Sequence, residues 1–393
     1  MINRRVAAII EKDIARKMVI LSGPRQCGKT TLAKKLAVKT SAYYNWDIAN
    51  DRKKMRENKM DLDAKLWIFD ELHKQHRWRN WLKGVYDEHS EDHSLLVTGS
   101  ARLELYGKGG DSLQGRYYQH HLHPFTLAEI TKRKDFNWEQ IQHLPEKHTV
   151  VGQTALEELL EFGGFPEPFL GKSVEEAERW RLNYSERIVQ DEVRSLENIQ
   201  QLDRMELLFD VLPKRVGAVL SINNLREDLE CSFHTVKNWI QIFERLYGVF
   251  RIYPYGGEKL KAVKKEAKLY LWDWARVENA GARFENLVAL HLLRLSHWME
   301  DIHGKKCELR YFRSTVGKEV DFVMLLQGRP WFCVEAKTQD QDLDPGSKYF
   351  LERTKVPFAF QISLQGKKDQ AVGKINDCTV RLVSAARFLE NLP

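Results

Sequence analysis

The sequence predicts an α/β chain in three parts, and three stretches predict it. A glycine-rich loop follows a short apolar run near the N-terminus, a helix-turn-helix spacing lies in the middle, and a strand-like pair carrying two acids and a lysine lies in the last third. Short apolar runs bounded by loops and alternating with amphipathic stretches are the pattern of buried parallel strands joined by helices.

The first stretch sets the chemistry. Gly23-Pro24-Arg25-Gln26-Cys27-Gly28-Lys29-Thr30 fits GxxxxGKT at every constrained position, directly after Met18-Val19-Ile20-Leu21. Gly23 and Gly28 let the loop turn its N–H groups toward phosphate oxygens. Lys29 then neutralises the β and γ phosphates and the Thr30 hydroxyl ligates Mg²⁺. The amphipathic continuation through Thr31 and Leu32 to Leu36 adds the positive end of a helix. ATP and Mg²⁺ are therefore the expected cofactors. A second run, Leu66-Trp67-Ile68-Phe69, ends in Asp70-Glu71. Asp70 is expected to hold the Mg²⁺ shell and Glu71 to orient the attacking water, since phosphoryl transfer depends on positioning and charge stabilisation. A third run, Leu95 to Thr98, leads to Gly99-Ser100. Ser100 reads either as a γ-phosphate sensor or as a helix N-cap.

These stretches, with Leu113 to Ile130, resemble the AAA-type ATPases found at the N-terminus of prokaryotic two-part proteins whose C-terminal part is a family of unknown function with a nuclease-like fold. The resemblance extends over nearly the whole chain. It implies a charge-stabilising role for Arg116, in cis or across a subunit boundary of a homo-oligomer, beside the plainer reading of a structural arginine.

Composition sets limits. A length of 393 residues allows two or three domains, and 43% hydrophobic with 30% charged residues is an ordinary globular balance. The formal charge of +7 permits a nucleic-acid partner without requiring one. The Val6-to-Ile10 run is too short for a signal peptide and no run is long enough to span a bilayer, so a cytoplasmic protein with no membrane partner is expected. Five scattered cysteines without a CxxC read as reduced thiols. His89, His93, His120, His121 and His123 read as surface histidines rather than a zinc site, because no cysteine accompanies them.

Past a polar connection at Asn137 to Val150 the pattern turns helical and charged from Ala155 to Gln200, broken by Gly163-Gly164-Phe165-Pro166. Ile222 to Leu229 then gives a short amphipathic helix and Glu230-Cys231-Ser232 a turn. Val236, Ile240 and Phe243 bury one face of a second helix, leaving His234, Lys237, Asn238 and Gln241 outward. Strand-like runs at Phe250 to Tyr253 and Leu269 to Trp272 flank a loop with Lys259, Lys261, Lys264, Lys265 and Lys268. That layout is a winged helix whose lysines, Lys261, Lys264 and Lys265 foremost, contact DNA phosphates. Its alternatives are a protein-contact module and a solvated loop.

The last third holds a second constellation. Glu319-Val320-Asp321-Phe322 opens an apolar strand, Gly328-Arg329-Pro330 turns, and Trp331 to Lys337 returns, ending Val334-Glu335-Ala336-Lys337. Alternation puts Glu335 and Lys337 on one face, so Asp321, Glu335 and the lysine can build an Mg²⁺ site, with Mn²⁺ as its alternative. Upstream, Glu285 lies on the apolar stretch Phe284 to Leu290 and needs a partner or a metal. The order of helix glutamate, strand aspartate and ExK resembles the PD-(D/E)XK nucleases from about Ala282 to Val383. The resemblance implies metal ligation by Asp321 and Glu335, water positioning by Lys337 and support from Glu285. No proline precedes Asp321.

The expected architecture is an AAA-type P-loop ATPase core (1–150), a helical lid and linker (151–205), a winged helix (206–280) and a restriction-endonuclease-like α/β domain (281–393). The expected function is ATP-regulated DNA binding with Mg²⁺-dependent phosphodiester hydrolysis. An ATP-driven DNA-binding or partner-assembling switch with an inert nuclease-like end is the alternative, and a helicase a further one. One P-loop core is legible, where helicases usually carry two such lobes.

Overall fold

The structure is a computed structural model that describes residues 2–37, 40–75, 77–99, 113–133, 136–142, 144, 150–193, 201–256, 267–366 and 369–393, the side chains of 191–193 excepted. The chain divides into two compact units, Met1–Pro124 with Arg245–Tyr247, and Phe125–Glu244 with Gly248–Pro393.

The first unit is built on five strands, β1 Met18–Ser22, β2 Ser41–Asn45, β3 Leu66–Asp70, β4 Ser94–Thr98 and β5 Tyr117–His121, in the order β2-β3-β4-β1-β5. All the pairings are parallel. Every residue of β1 and β3 is buried, as continuous apolar runs require when both sheet faces are covered. Among the described residues four α-helices connect these strands or precede them: α1 Ala7–Ile14, α2 Lys29–Leu36, α3 Ala49–Arg56 and α4 Trp78–His89. Parallel pairing brings the carboxyl ends of β1, β3 and β4 to one edge, where open α/β sheets bind ligands.

The second unit begins with α5 Leu127–Ile130, fixed by a capping box in which Thr126 accepts the Glu129 N–H and Glu129 accepts the Thr126 N–H. The compact unit starts at Phe125, while the expected ATPase core ran to residue 150. Helices α6 Val150–Phe162, α7 Pro166–Gly171 and α8 Val174–Arg187 follow, broken at the Gly163-to-Pro166 stretch as expected. Next come α9 Leu202–Val211, α10 Ile222–Asp228 and α11 Phe233–Arg245, then the antiparallel strands β6 Val249–Pro254 and β7 Lys268–Leu271, with Val219 bridging to Lys268.

The rest is α12 Ala280–His303, strands β8 Cys307–Arg313, β9 Glu319–Leu326 and β10 Arg329–Lys337, α13 Pro345–Leu351, β11 Phe358–Ser363, β12 Gln370–Ile375, β13 Cys378–Ser384 and α14 Ala385–Leu389. One eight-stranded sheet runs β12-β13-β11-β10-β9-β8-β6-β7. The middle and C-terminal parts, separate on the sequence, thus share a sheet, because β6 pairs in parallel with β8. Asn286 of α12 locks the same junction: its amide donates to the Leu271 carbonyl and accepts the Leu271 N–H, both at 2.8 Å.

Candidate functional site

The loop after β1 has the geometry its glycines predict. Gly23 has φ +149° and a Cβ there would meet the Leu122 carbonyl at 2.3 Å, so the position admits glycine alone. Gly28, φ +96°, N-caps α2. Pro24 and Cys27 are buried, Arg25 and Gly28 half-buried, and Gln26 is exposed with φ 59°. Arg4 braces the loop from behind, donating to the Cys27 carbonyl at 3.0 Å. The Lys29 ammonium arches over the loop onto the carbonyls of Gly23 (2.9 Å) and Pro24 (2.6 Å). Thr30 Oγ1 donates to Asp70 Oδ2 at 2.8 Å, whereas Thr31 is exposed.

Asp70, at the end of β3, is 1% exposed. It also accepts hydrogen bonds from Tyr43 of β2 and Thr98 of β4. Burial, reinforced by Asp70, pushes the Tyr43 phenol well above its ordinary pKa, so Tyr43 stays a donor. Glu71 follows in a left-handed conformation, φ 56°. Burial raises its pKa above the usual carboxylate range, with Lys74 and Lys29 pulling back. Lys74 lies 3.4 Å from Glu71 and 2.6 Å from Asp47. This donor set fits Mg²⁺ with a nucleotide: a hydroxyl, a buried carboxylate and an adjoining carboxylate within one sheet edge. Ser100 lies outside the described residues. Arg116 forms an ion pair with Asp87 of α4 at 2.7 Å. The histidines correct the sequence reading: His93, His120 and His123 are buried, His93 stacking on Trp67 at 4.1 Å and His120 bonding Asp13 at 2.8 Å. His93 thereby serves as polar-tipped aromatic packing, its Nδ1 2.7 Å from the Ala64 carbonyl.

The second constellation lies where β9 and β10 run side by side. The Asp321 N–H donates to Glu335 Oε2 at 3.1 Å, and the Ala336 N–H donates to Asp321 Oδ2 at 3.0 Å. Each acid thus caps the other's strand. Lys337 bonds Glu335 at 2.8 Å and Asp344 at 3.0 Å. Burial, then Glu335 and Glu285, push Asp321 well above the ordinary carboxylate range, and burial raises Glu335 against the pull of Lys337. Glu285 accepts the Tyr270 hydroxyl at 2.7 Å and lies 3.5 Å from Lys268. Asp321 and Glu335 supply oxygen donors of the kind a hard divalent ion takes. Among the described residues no three His, Cys, Asp or Glu side chains converge as a ready-made cage.

Sequence reasoning missed four participants here. Asp344 N-caps α13 through the Gly346 and Ser347 amides while holding Lys337, and Gln361 of β11 accepts the Asp344 N–H at 2.8 Å. The Asp-Pro-Gly helix start at Asp344 was a legible signal for the first. Tyr270 had no signal. Lys268, grouped on the sequence with the wing lysines, is 2% exposed although β7 is the edge strand of the sheet, because its side chain turns onto Glu319 and Glu285.

On α11, Val236, Ile240 and Phe243 are buried with Trp239 and Ile242. His234, Lys237 and Asn238 are exposed and Gln241 is half-buried. Ser232 accepts the Thr235 N–H at 3.1 Å, the expected cap. Lys259, Lys261, Lys264 and Lys265 lie outside the described residues.

Three family models divide the chain. Residues 15–131 match one described as AAA domain. The N-terminal region is an AAA-type P-loop domain. Residues 153–280 and 280–382 match two domains of unknown function, DUF8612 and DUF4143. An uncharacterized protein of Mycobacterium tuberculosis is 24% identical over 349 residues, 84% of this chain and 72% of its own. One of Methanocaldococcus jannaschii is 25% identical, covering 74% and 70%. Among solved structures the chain is similar to the Aeropyrum pernix ORC1 protein in complex with DNA, with TM-score 0.33 and 15% identity over 70% of this chain and 90% of that one. It is also similar to Thermotoga maritima RuvB, with TM-score 0.32 and 14% identity over 64% and 90%. No helix among the described residues is long and apolar enough to cross a membrane.

Proposed function

We propose that the chain binds and hydrolyses ATP at its N-terminal site and couples that cycle to DNA held by the middle region. The hydrogen bond from Thr30 to Asp70, 2.8 Å, carries this reading, because it joins the loop hydroxyl to the buried strand-end acid that together would hold Mg²⁺. An ion bound with the nucleotide would supply charge neutralisation of the phosphates. Lys29 trades its loop carbonyls for phosphate oxygens, and Glu71 orients the attacking water, its raised pKa suiting a group that must take a proton. Arg116 adds charge stabilisation if it leaves Asp87. Lys29→Ala should lose nucleotide binding or turnover, and Glu71→Gln should keep binding while turnover falls ~100-fold or more. Filter binding and phosphate release measure both, and full hydrolysis by either variant removes that residue's role.

DNA contact is supported by the helix, bridge, helix, turn, helix and hairpin order from α9 to β7, which is that of a winged helix with His234, Lys237, Asn238 and Gln241 on its free face. A second reading adds phosphodiester hydrolysis by a PD-(D/E)XK-type site. The mutual capping of Asp321 and Glu335 beside Lys337 favours it. Asp321 and Glu335 would hold Mg²⁺ or Mn²⁺, Lys337 would position the water and Glu285 would support the acids. Plasmid, linear, branched and single-stranded DNA incubated with Mg²⁺ or Mn²⁺ should be cut by the natural chain and left intact by Asp321→Ala, with ATP turnover retained. No cleavage of any substrate leaves an ATP-driven switch with an inert end, and ATP-dependent strand separation would bring back a helicase.

A further inference from the structure

The buried lysine of β7 has no part in either reading so far. Lys268 has a side chain 3% exposed, and its ammonium pairs with Glu319 and lies 3.5 Å from Glu285 Oε1. Tyr311 covers it, 5.4 Å from ring centre to nitrogen. A buried ammonium is costly unless well paired, and among the described residues the ion pairs of this one are with Glu319 and Glu285. Burial alone would lower its pKa, yet Glu285, Asp321 and Glu319 hold it above the ordinary lysine value.

Two further contacts fix the arrangement. Tyr270, two residues along β7, donates to the same Glu285 oxygen that Lys268 approaches. Gly217, φ +79°, leaves room for that acid, since a Cβ there would come within 3.0 Å of Glu285 Oε2. The cluster therefore crosses the boundary between the two domain matches: Lys268 and Tyr270 come from the 153–280 segment, and the acids from 280–382. Counting Lys337, two ammonium groups face the five carboxylates Glu285, Glu319, Asp321, Glu335 and Asp344, with Arg313 3.9 Å from Glu319 at the half-exposed rim. Carboxylates outnumber ammonium groups in this cluster, and such crowding of like charges favours a further cation.

We propose that Lys268 is a built-in cation of this cluster, filling the place of one divalent ion on the side of Glu285 and Glu319, so that the site takes a single divalent ion held by Asp321 and Glu335. The inference rests on the second reading above. It makes Lys268 a positioning residue, and the metal dependence of the site that of one ion rather than two.

Mn²⁺ stoichiometry tests it, by calorimetry on the full, nucleotide-free chain in an Asp70→Asn background that removes the N-terminal acid from the count. One Mn²⁺ is expected as is, and two with Lys268→Met. Mn²⁺ should also raise the melting temperature of Lys268→Met more than that of its parent. Lys268→Arg should keep the parent count. Equal counts and equal melting shifts with and without Lys268→Met overturn the proposal, as does no binding to either protein. No ion on the parent but one on Lys268→Met keeps the resident cation and defeats the metal-dependent hydrolysis reading alone. Should Lys268→Met not fold, the pair Glu319→Gln and Glu319→Gln with Lys268→Met retains the test, the second binding one ion more than the first.

Discussion

Asp70 accepts hydrogen bonds from three hydroxyls, those of Thr30, Tyr43 and Thr98, so its carboxylate is aimed before a nucleotide arrives. Thr30 belongs to the loop motif, but Tyr43 came from a strand the sequence did not tie to the site, and only the pairing of Tyr43 with Ile68, one strand over, brings it beside Asp70. Losing one hydrogen bond to a charged group costs about 1.5–3 kcal/mol. Tyr43→Phe should therefore leave ATP affinity in the absence of metal nearly unchanged while raising the Mg²⁺ concentration for half-maximal turnover ~10-fold. Turnover titrated with Mg²⁺ checks this, and an unchanged midpoint makes Tyr43 a packing residue.

At the scale of elements, what was legible followed from periodicity and punctuation. The apolar runs ending at Leu21, Phe69 and Thr98 became β1, β3 and β4, and the 3.6-residue spacing of Val236, Ile240 and Phe243 became the buried face of α11. The Asp321, Glu335 and Lys337 grouping followed from strand alternation and a short turn. What was not legible depends on pairings distant in sequence: no local pattern announces that β6 joins β8, and so none places Lys268 among acids rather than in a wing. The histidines misled for a related reason, since their burial depends on Trp67 and Asp13. The α11 face carries its own prediction. If Lys237, exposed on that helix, meets a DNA phosphate, Lys237→Ala should make the plot of log affinity against log salt shallower by about 0.9, the counterions of one contact. Titrations over a salt series with identical slopes would assign α11 to protein contact instead.

At the scale of the whole C-terminal unit, one imidazole ties together segments 164 residues apart and makes folding depend on pH. His291 of α12, 2% exposed, donates Nδ1–H to the Leu287 carbonyl at 2.8 Å and accepts the Leu127 N–H of α5 on Nε2 at 3.1 Å. Both contacts need the neutral ring, because a protonated Nε2 has no lone pair for Leu127. Burial, with Arg294 nearby, lowers its pKa from 6.5 to about 4. The unfolded chain therefore binds a proton that the folded chain refuses. Stability from this group is complete above pH 6.5 and drains away as the pH falls toward 4. The loss by pH 4 is about 3 kcal/mol at ~1.4 kcal/mol per unit. His291→Gln keeps a donor and an acceptor without a titrating group. Urea unfolding at pH 7 and pH 4 should show the natural chain losing about 3 kcal/mol more than the variant, while at pH 7 the natural chain is the more stable of the two because imidazole geometry fits both partners. Equal acid losses in the two proteins would mean that protonation of His291 costs the fold no more than it costs the unfolded chain, and that the acid sensitivity of this unit originates in other groups.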